Sequence, residues 1–203
     1  MNIRLLWSCV KSDSEKSFSD IFVHTYPFLF QYGIKIYNHP SLVKDSIQDV
    51  FVRIWEKRKT LGNVQSPKAY LASSVRRKIL ENKKALKLEL SDELCTEDVL
   101  QSFSFSDSEF IETKEISVQL RNMLVKEINL LPRKQRELIF LRFHSGLRYK
   151  EIAEVMDIKE QTVRNLMQRT LTNIRSKVDL ELLTEIDNVG NLLVFFFLCA
   201  KKY

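Results

Sequence analysis

Along most of this chain the apolar residues recur at three- and four-residue steps, and only 4 Gly and 4 Pro interrupt its 203 residues. That spacing puts the apolar side chains on one face of a helix, whereas alternation would have built a half-buried strand. With so few breakers the helices run long, and the expected fold class is all-α. An apolar share of 44% over this length is enough for one ordinary domain or two small ones, each with its own core.

The densest stretch is Phe18 to Tyr37, where Phe18, Ile21, Phe22, Tyr26, Phe28, Leu29, Phe30 and Ile34 imply a helix that is largely buried and ends at Asn38, His39 and Pro40. A second helix carries Val43, Ile47, Val50, Phe51, Ile54 and Trp55 on one side, with Ser41 as its expected N-cap. Its other side holds Asp45, Gln48 and Asp49. A loop from Lys59 to Lys68 follows, containing Gly62, Asn63 and Pro67. Tyr70, Leu71, Val75, Ile79 and Leu86 then mark a third helix bearing Arg76, Arg77, Lys78, Asn82, Lys83 and Lys84.

Residues 86–112 are acidic, Ser-rich and poorly periodic, the signature of a linker, with Phe103, Phe105 and Phe110 as short anchors. Helix returns with Ile116, Leu120, Met123, Leu124 and Ile128. Pro132 is expected in the first turn of the next helix, where its missing N–H costs nothing, and Leu138, Ile139, Leu141 and Phe143 continue that helix to Gly146. The expected division is a helical domain over 1–85, the linker 86–112, a second helical domain over 113–180 and an apolar extension over 181–203.

Charge is distributed unevenly. Residues 1–84 hold 15 Lys and Arg against 7 Asp and Glu, residues 85–118 hold 2 against 9, and residues 119–203 hold 15 against 10. Two basic blocks thus flank an acidic one, and the total of +6 favours an acidic partner such as nucleic acid. Cys9, Cys95 and Cys199 have neither metal-ligand spacing nor a disulfide framework, which fits a reducing compartment, with cytoplasm the default. The N-terminus does not read as a signal peptide, because the apolar run Leu5 to Trp7 is cut short by Ser8 and followed by charge. Leu192 to Ala200 is apolar but only nine residues long, under half of the roughly 20 that a spanning helix needs, so no membrane insertion is expected. No catalytic residue, cofactor or metal is expected. The Ser-x-x-Lys pairs Ser8/Lys11 and Ser41/Lys44 are short enough to arise by chance, no phosphate-binding Gly-rich loop is present, and His24, His39 and His144 are widely scattered.

The most specific pattern lies between Tyr149 and Ile174. In a helix-turn-helix two helices cross closely, which requires a small residue at the crossing, apolar residues around it and a turn residue able to take positive φ. Ile152 and Met156 supply the apolar face, Ala153 the small residue, Asp157 the turn and Ile158 a plug. Val163, Leu166, Leu171 and Ile174 are expected to form the buried face of the second helix. Its outward face would then present Glu160, Gln161, Arg164, Asn165, Gln168 and Arg169. Arg can chelate guanine, Asn and Gln can pair with adenine, and Glu can accept from cytosine. The plainer reading is a solvated face on an ordinary helical hairpin.

The stretch Leu130 to Val178, LLPRKQRELIFLRFHSGLRYKEIAEVMDIKEQTVRNLMQRTLTNIRSKV, resembles region 4 of extracytoplasmic-function sigma factors, the domain that binds the minus-thirty-five promoter element. Asp45-Ser46-Ile47-Gln48-Asp49-Val50-Phe51 through Trp55 resembles the region 2 helix that docks on the clamp helices of RNA polymerase. Tyr70-Leu71 with Arg76 resembles the helix that melts and reads the minus-ten element. The resemblance implies a sigma factor with core RNA polymerase and promoter DNA as partners and an anti-sigma factor as regulator. It assigns polymerase binding to Asp45, Gln48, Asp49 and Trp55, minus-ten binding to Arg76, Arg77, Lys78, Asn82 and Lys83, and a flipped-base pocket to the loop Leu61 to Pro67. Arg77 stands where the family usually has Asn, which leaves the preferred minus-ten base open. The acidic linker reads either as a segment threading the polymerase RNA exit path or as a plain spacer. Phe195 to Phe197 read either as a cap on the second domain or as an anti-sigma contact. Two alternatives stand beside the sigma factor: a helix-turn-helix regulator working without polymerase, and a helical adaptor that does not read DNA.

Overall fold

The computed structural model describes residues 3–10, 13–89 and 118–177, and every regular element among them is helical. The expected linker anchors, Cys95, Cys199, Ile116 and the apolar run Leu192 to Ala200 lie outside the described residues. Two compact units form, one centred on the helices up to Glu89 and one on those after it.

The first unit contains α1 (Ile3–Val10), α2 (Glu15–Ile36), α3 (Pro40–Glu56) and α4 (Pro67–Glu89). Ser14 caps α2, its hydroxyl accepting from the Ser17 N–H at 3.2 Å. Pro27 lies inside this helix and cannot donate to the Val23 carbonyl, but Val23 is 61% exposed, so water is at hand for that acceptor. Burial on α2 follows one stripe, Ile21, Thr25, Leu29, Tyr32 and Ile36, with Gly33 and Lys35 beside it, rather than covering most of the helix. Phe18, Phe22, Tyr26, Phe28 and Phe30 are only half-buried. They shield one another instead, with centroids 5.2 Å apart for Phe22 and Tyr26, 5.8 Å for Tyr26 and Phe30, and 4.9 Å for Phe22 and Phe51 of α3.

The α3 cap differs from expectation. His39, not Ser41, is the N-cap: its Nδ1 accepts from the Leu42 N–H at 3.2 Å, and Pro40 takes the first helical position. An imidazole placed before N1 reaches the third amide as a hydroxyl would, and a proline there fixes φ at a helical value. Pro67 likewise begins α4 rather than sitting in the loop, and α4 continues through Glu89 into residues expected to be linker. Leu42, Val43, Ile47, Val50, Phe51 and Ile54 are buried on α3, each contributing roughly 1.5–3 kcal/mol. Ser46, also buried, donates to the Leu42 carbonyl at 2.7 Å and accepts from Asn82 Nδ2 of α4 at 3.0 Å.

Gly33 is where three helices meet. A Cβ there would lie 2.5 Å from Val43 Cγ1 of α3 and 3.1 Å from Ile79 Cδ1 of α4. A clasp of charges ties the start of α2 to the end of α3. Asp13, in left-handed backbone at φ 62°, accepts from Arg58 Nε and pairs with Lys59 Nζ at 3.1 Å. Arg58 also donates to the Trp55 carbonyl at 2.7 Å and lies 4.2 Å from the Trp55 ring centroid. Arg58 first, then Lys59, holds the Asp13 carboxyl below its ordinary value.

The second unit contains α5 (Val118–Asn129), α6 (Arg133–Ile139), a π turn (Phe140–His144), α7 (Tyr149–Met156) and α8 (Glu160–Arg175). Pro132 caps α6 from just outside rather than occupying its first turn. The regular helix expected to reach Gly146 instead widens after Ile139, so that the Ser145 N–H bonds to the Phe140 carbonyl at 3.0 Å, five residues back. Gly146 then reverses the chain at φ 68°. Leu124, Ile128, Leu138, Ile139, Phe140 and Leu141 are fully or almost fully buried in this unit.

Gly33→Ala tests the helix junction. Alanine gains about 1 kcal/mol of helix propensity. Against that, overpacking costs roughly 1–3 kcal/mol, and the clash is with a β-branched residue that a helix holds to one rotamer. The expected outcome is a net destabilisation read as a lower Tm in thermal unfolding followed by circular dichroism; a raised Tm would refute the close approach. Asp13→Asn tests the clasp. Because the folded carboxyl titrates below its unfolded value, its stabilisation is complete above about pH 3.8 and is lost as pH falls further. The Tm gap between the two proteins should therefore be present at neutral pH and close in acid. A gap independent of pH would mean that charge is not its source.

Candidate nucleic-acid interface

Asp157 ends α7 in left-handed backbone, φ 55° and ψ 52°, the conformation expected at the turn. Its N–H and that of Ile158 both return to the Ala153 carbonyl, so the last turn of α7 closes on the small residue at the crossing. Glu151 secures the other end, its carboxylate accepting from the Arg148 N–H at 2.6 Å. Ile152, Ala153 and Met156 are buried as expected, and Ile158 is half-buried.

On α8 the buried stripe is Val163, Met167, Thr170 and Ile174. Leu166 and Leu171, expected in it, are only half-buried and flank it. Steps of four, three and four follow the helical period more closely than apolarity does, and Thr170 can be buried because its hydroxyl donates to the Leu166 carbonyl at 2.7 Å.

The opposite face is open. Gln161, Arg164, Asn165, Gln168 and Arg169 are exposed and Glu160 is half-exposed. Arg164 donates through Nε to Glu160 Oε1 at 3.1 Å, with Nη2 on the same oxygen, and its guanidinium carbon lies 4.9 Å from the Tyr149 ring centroid. Gln161 Nε2 donates to Asn165 Oδ1 at 3.1 Å. An exposed ion pair is worth about 0–1 kcal/mol and an exposed cation–π contact about 0.5–1 kcal/mol. These contacts order the face yet are weak enough to yield to a stronger partner. Asn165, Gln168 and Arg169 share a shallow groove with Thr172, Asn173 and Ser176, which extends the polar surface toward the end of the helix.

In the first unit, Asp45, Gln48 and Asp49 are exposed on one face of α3. Val52, 51% exposed, stands at the centre of that face, an apolar spot that a search for polar residues passes over although it is seven residues from Asp45. Trp55 lies at the edge, half-buried against Phe18 at 4.9 Å between centroids.

The basic residues of α4 do not share one face. Lys78 turns toward α3 and pairs with Asp49 at 3.0 Å, Asn82 is engaged with Ser46, and Lys83 Nζ sits 5.3 Å from the Tyr37 ring centroid. Arg77 and Lys84 are exposed and Arg76 is half-buried. Between α3 and α4 lies a cleft of about 320 Å³, with Val50, Ile54, Leu61 and Tyr70 as apolar lining and Arg53, Lys57, Arg77 and Lys78 set against Asp49 and Glu81. Sequence reading passed over Arg53 and Lys57; their signal was the four-residue step from Asp49. Among the described residues no group of His, Cys, Asp and Glu could hold a metal ion, and no helix is long and apolar enough to cross a membrane.

This is the architecture of a helix-turn-helix protein carrying a second helical unit. Residues 21–88 match the model for Sigma-70 region 2 and residues 121–174 that for Sigma-70, region 4, together more than half of the chain. The chain belongs to the sigma-70 family, with the region 2 and region 4 make-up of its extracytoplasmic-function branch. No curated protein matches it significantly. Among solved structures it is similar in fold to CnrH, in complex with the cytosolic domain of CnrY, at 17% identity and a TM-score of 0.55 over 85% of this chain and 94% of that one. It is also similar to the sigma factor RpoE from Bartonella quintana, in complex with the anti-sigma factor NepR, at 23% identity and a TM-score of 0.53 over 85% of this chain and 99% of the other.

Proposed function

We propose that this protein binds core RNA polymerase and directs initiation at promoters with two recognition elements, each unit serving one of them. One observation supports this reading above the rest: a region 2 and a region 4 occur in one chain, and α8 of the second exposes Arg, Asn, Gln and Glu while its other side is buried. On this reading residues 113–180 bind the minus-thirty-five element through Glu160, Gln161, Arg164, Asn165, Gln168 and Arg169, and residues 1–85 meet polymerase and the minus-ten element.

Polymerase docks on the α3 face of Asp45, Gln48 and Asp49, with Val52 as its apolar centre and Trp55 at its rim. Acidic groups around an apolar spot suit a basic partner helix. Opening the minus-ten element leaves bases unstacked, and these need an apolar surface beside positive charge. The cleft next to Leu61, with Tyr70 and Ile54 inside and Arg53, Arg77 and Lys78 around it, offers both. Arg76, Asn82 and Lys83 belong to the same helix and act on the strand or support those that do. The acidic residues between the two units connect the two activities.

The regulator is an anti-sigma factor, as for the RpoE relative that was captured with one. Such work requires no catalytic group, cofactor or metal, and it places the protein in the cytoplasm with polymerase and chromosome. A repressor would use the second unit alone and leave the region 2 match without a purpose.

Run-off transcription with core polymerase on genomic DNA tests the proposal. Initiation is expected at a small set of two-part promoters, and no initiation above core polymerase alone would refute it. Specific promoter binding by the free chain would favour a repressor, and intact promoter choice after substitution of Arg164 and Arg169 would favour an adaptor. Val52→Ala tests the docking face: being half-exposed, it should leave Tm nearly unchanged while weakening holoenzyme assembly by about tenfold or more, as loss of a central apolar contact does. Unchanged assembly would move the polymerase site elsewhere.

A further inference from the structure

Tyr149, the first residue of α7, carries two guanidinium groups over its ring: Arg142 at 5.0 Å and Arg164 at 4.9 Å from the centroid. Arg142 comes from the π turn and Arg164 from α8, so one ring joins three consecutive segments of the second unit. The π turn fixes the first arginine, because Arg142 Nη1 also donates to the Leu147 carbonyl at 3.0 Å. Glu160 neutralises the second. Two like charges on one ring would otherwise repel, and the compensated, outward one on α8 is left as the arginine free to take up another partner.

The two contacts of Arg164 differ in what they leave available. Glu160 occupies the Nε and Nη2 edge, one of the two edges through which a guanidinium can chelate guanine, so a base arriving at that edge has to displace it. The Tyr149 ring, 4.9 Å from the guanidinium carbon, attracts the cation as a whole and does not take the place of a base-edge acceptor. That contact can persist while the edge reads a base. An arginine with its plane already restrained loses less rotamer freedom on chelation, and the discriminating power of a bidentate contact depends on that plane.

From this geometry we infer that Tyr149 is a positioning residue for promoter discrimination: its aromatic ring, which also holds Arg142, keeps the Arg164 guanidinium in the place from which it reads one base pair. The inference rests on the proposed role of α8 in binding DNA.

The test uses the full chain assembled with core polymerase into holoenzyme. Promoters found by run-off transcription are rebuilt as duplex libraries with the upstream element randomised, and the retained base frequencies are compared at every position. Arg164→Ala should flatten the preference at one position, which identifies the base pair it reads. Tyr149→Leu should reduce the preference at that same position by roughly tenfold, with the other positions within about twofold of the parent. Tyr149→Phe, which keeps the ring, should restore it. The inference is overturned if Tyr149→Leu matches the parent at that position, if all positions loosen alike as a misfolded unit would make them, or if Tyr149→Phe behaves as Tyr149→Leu does. If Arg164→Ala leaves every position unchanged, the DNA-reading role of α8 itself fails and takes the inference with it, a result distinct from a silent Tyr149→Leu.

Discussion

A helix has one circumference to divide between the core that holds it and whatever it meets outside, and α8 shows how narrow that division is. Val163, Met167, Thr170 and Ile174 fill a single stripe, and everything from Gln161 to Arg169 on the other side stays in solvent because the stripe is no wider. A rotation by one residue would bury Arg164 and expose Val163. The fixed crossing of α7 and α8 prevents it, through a turn that Asp157 makes in left-handed backbone and closes on Ala153. Reading DNA in the major groove needs side chains held from below and free above. This helix pair supplies that arrangement.

The first unit applies the same division to α3. Its buried side packs against α2 and α4 at the Gly33 junction, and its outer side is left to Asp45, Gln48, Val52 and Asp49. Here the outer face is not isolated from its neighbour. Asp49 reaches Lys78 of α4, and Asn82 of α4 satisfies the buried Ser46, so α3 and α4 are joined by polar contacts as well as packing. A polar, partly acidic face with an apolar centre and a helix rich in cations therefore lie side by side, with a cleft of mixed charge between them.

What could be read from the residues alone followed from short-range rules. Three- and four-residue spacing gave the helices, a scarcity of Gly and Pro made them long, and Ala153, Asp157 and Ile158 at their separations marked the crossing and its turn. The outward set on α8 was legible for the same reason, since exposure is decided by the period as much as by chemistry. Where residue type misled, it did so through apolarity. Leu166 and Leu171 looked more suited to a core than Thr170, yet the period buried the threonine, whose hydroxyl is satisfied within its own helix.

The sequence by itself determined an all-helical chain, the positions of most helices and the helix-turn-helix with its outward-facing residues, because these depend on neighbours within about two turns. Only the tertiary structure decided that His39 rather than Ser41 caps α3, that α6 widens into a π turn, that Asp49 and Lys78 meet, and that Tyr149 gathers Arg142 and Arg164. Each of these depends on the angle at which separate segments come together or on a backbone choice between nearly equal alternatives. Packing fixes such angles and choices, and no periodicity in the chain records them.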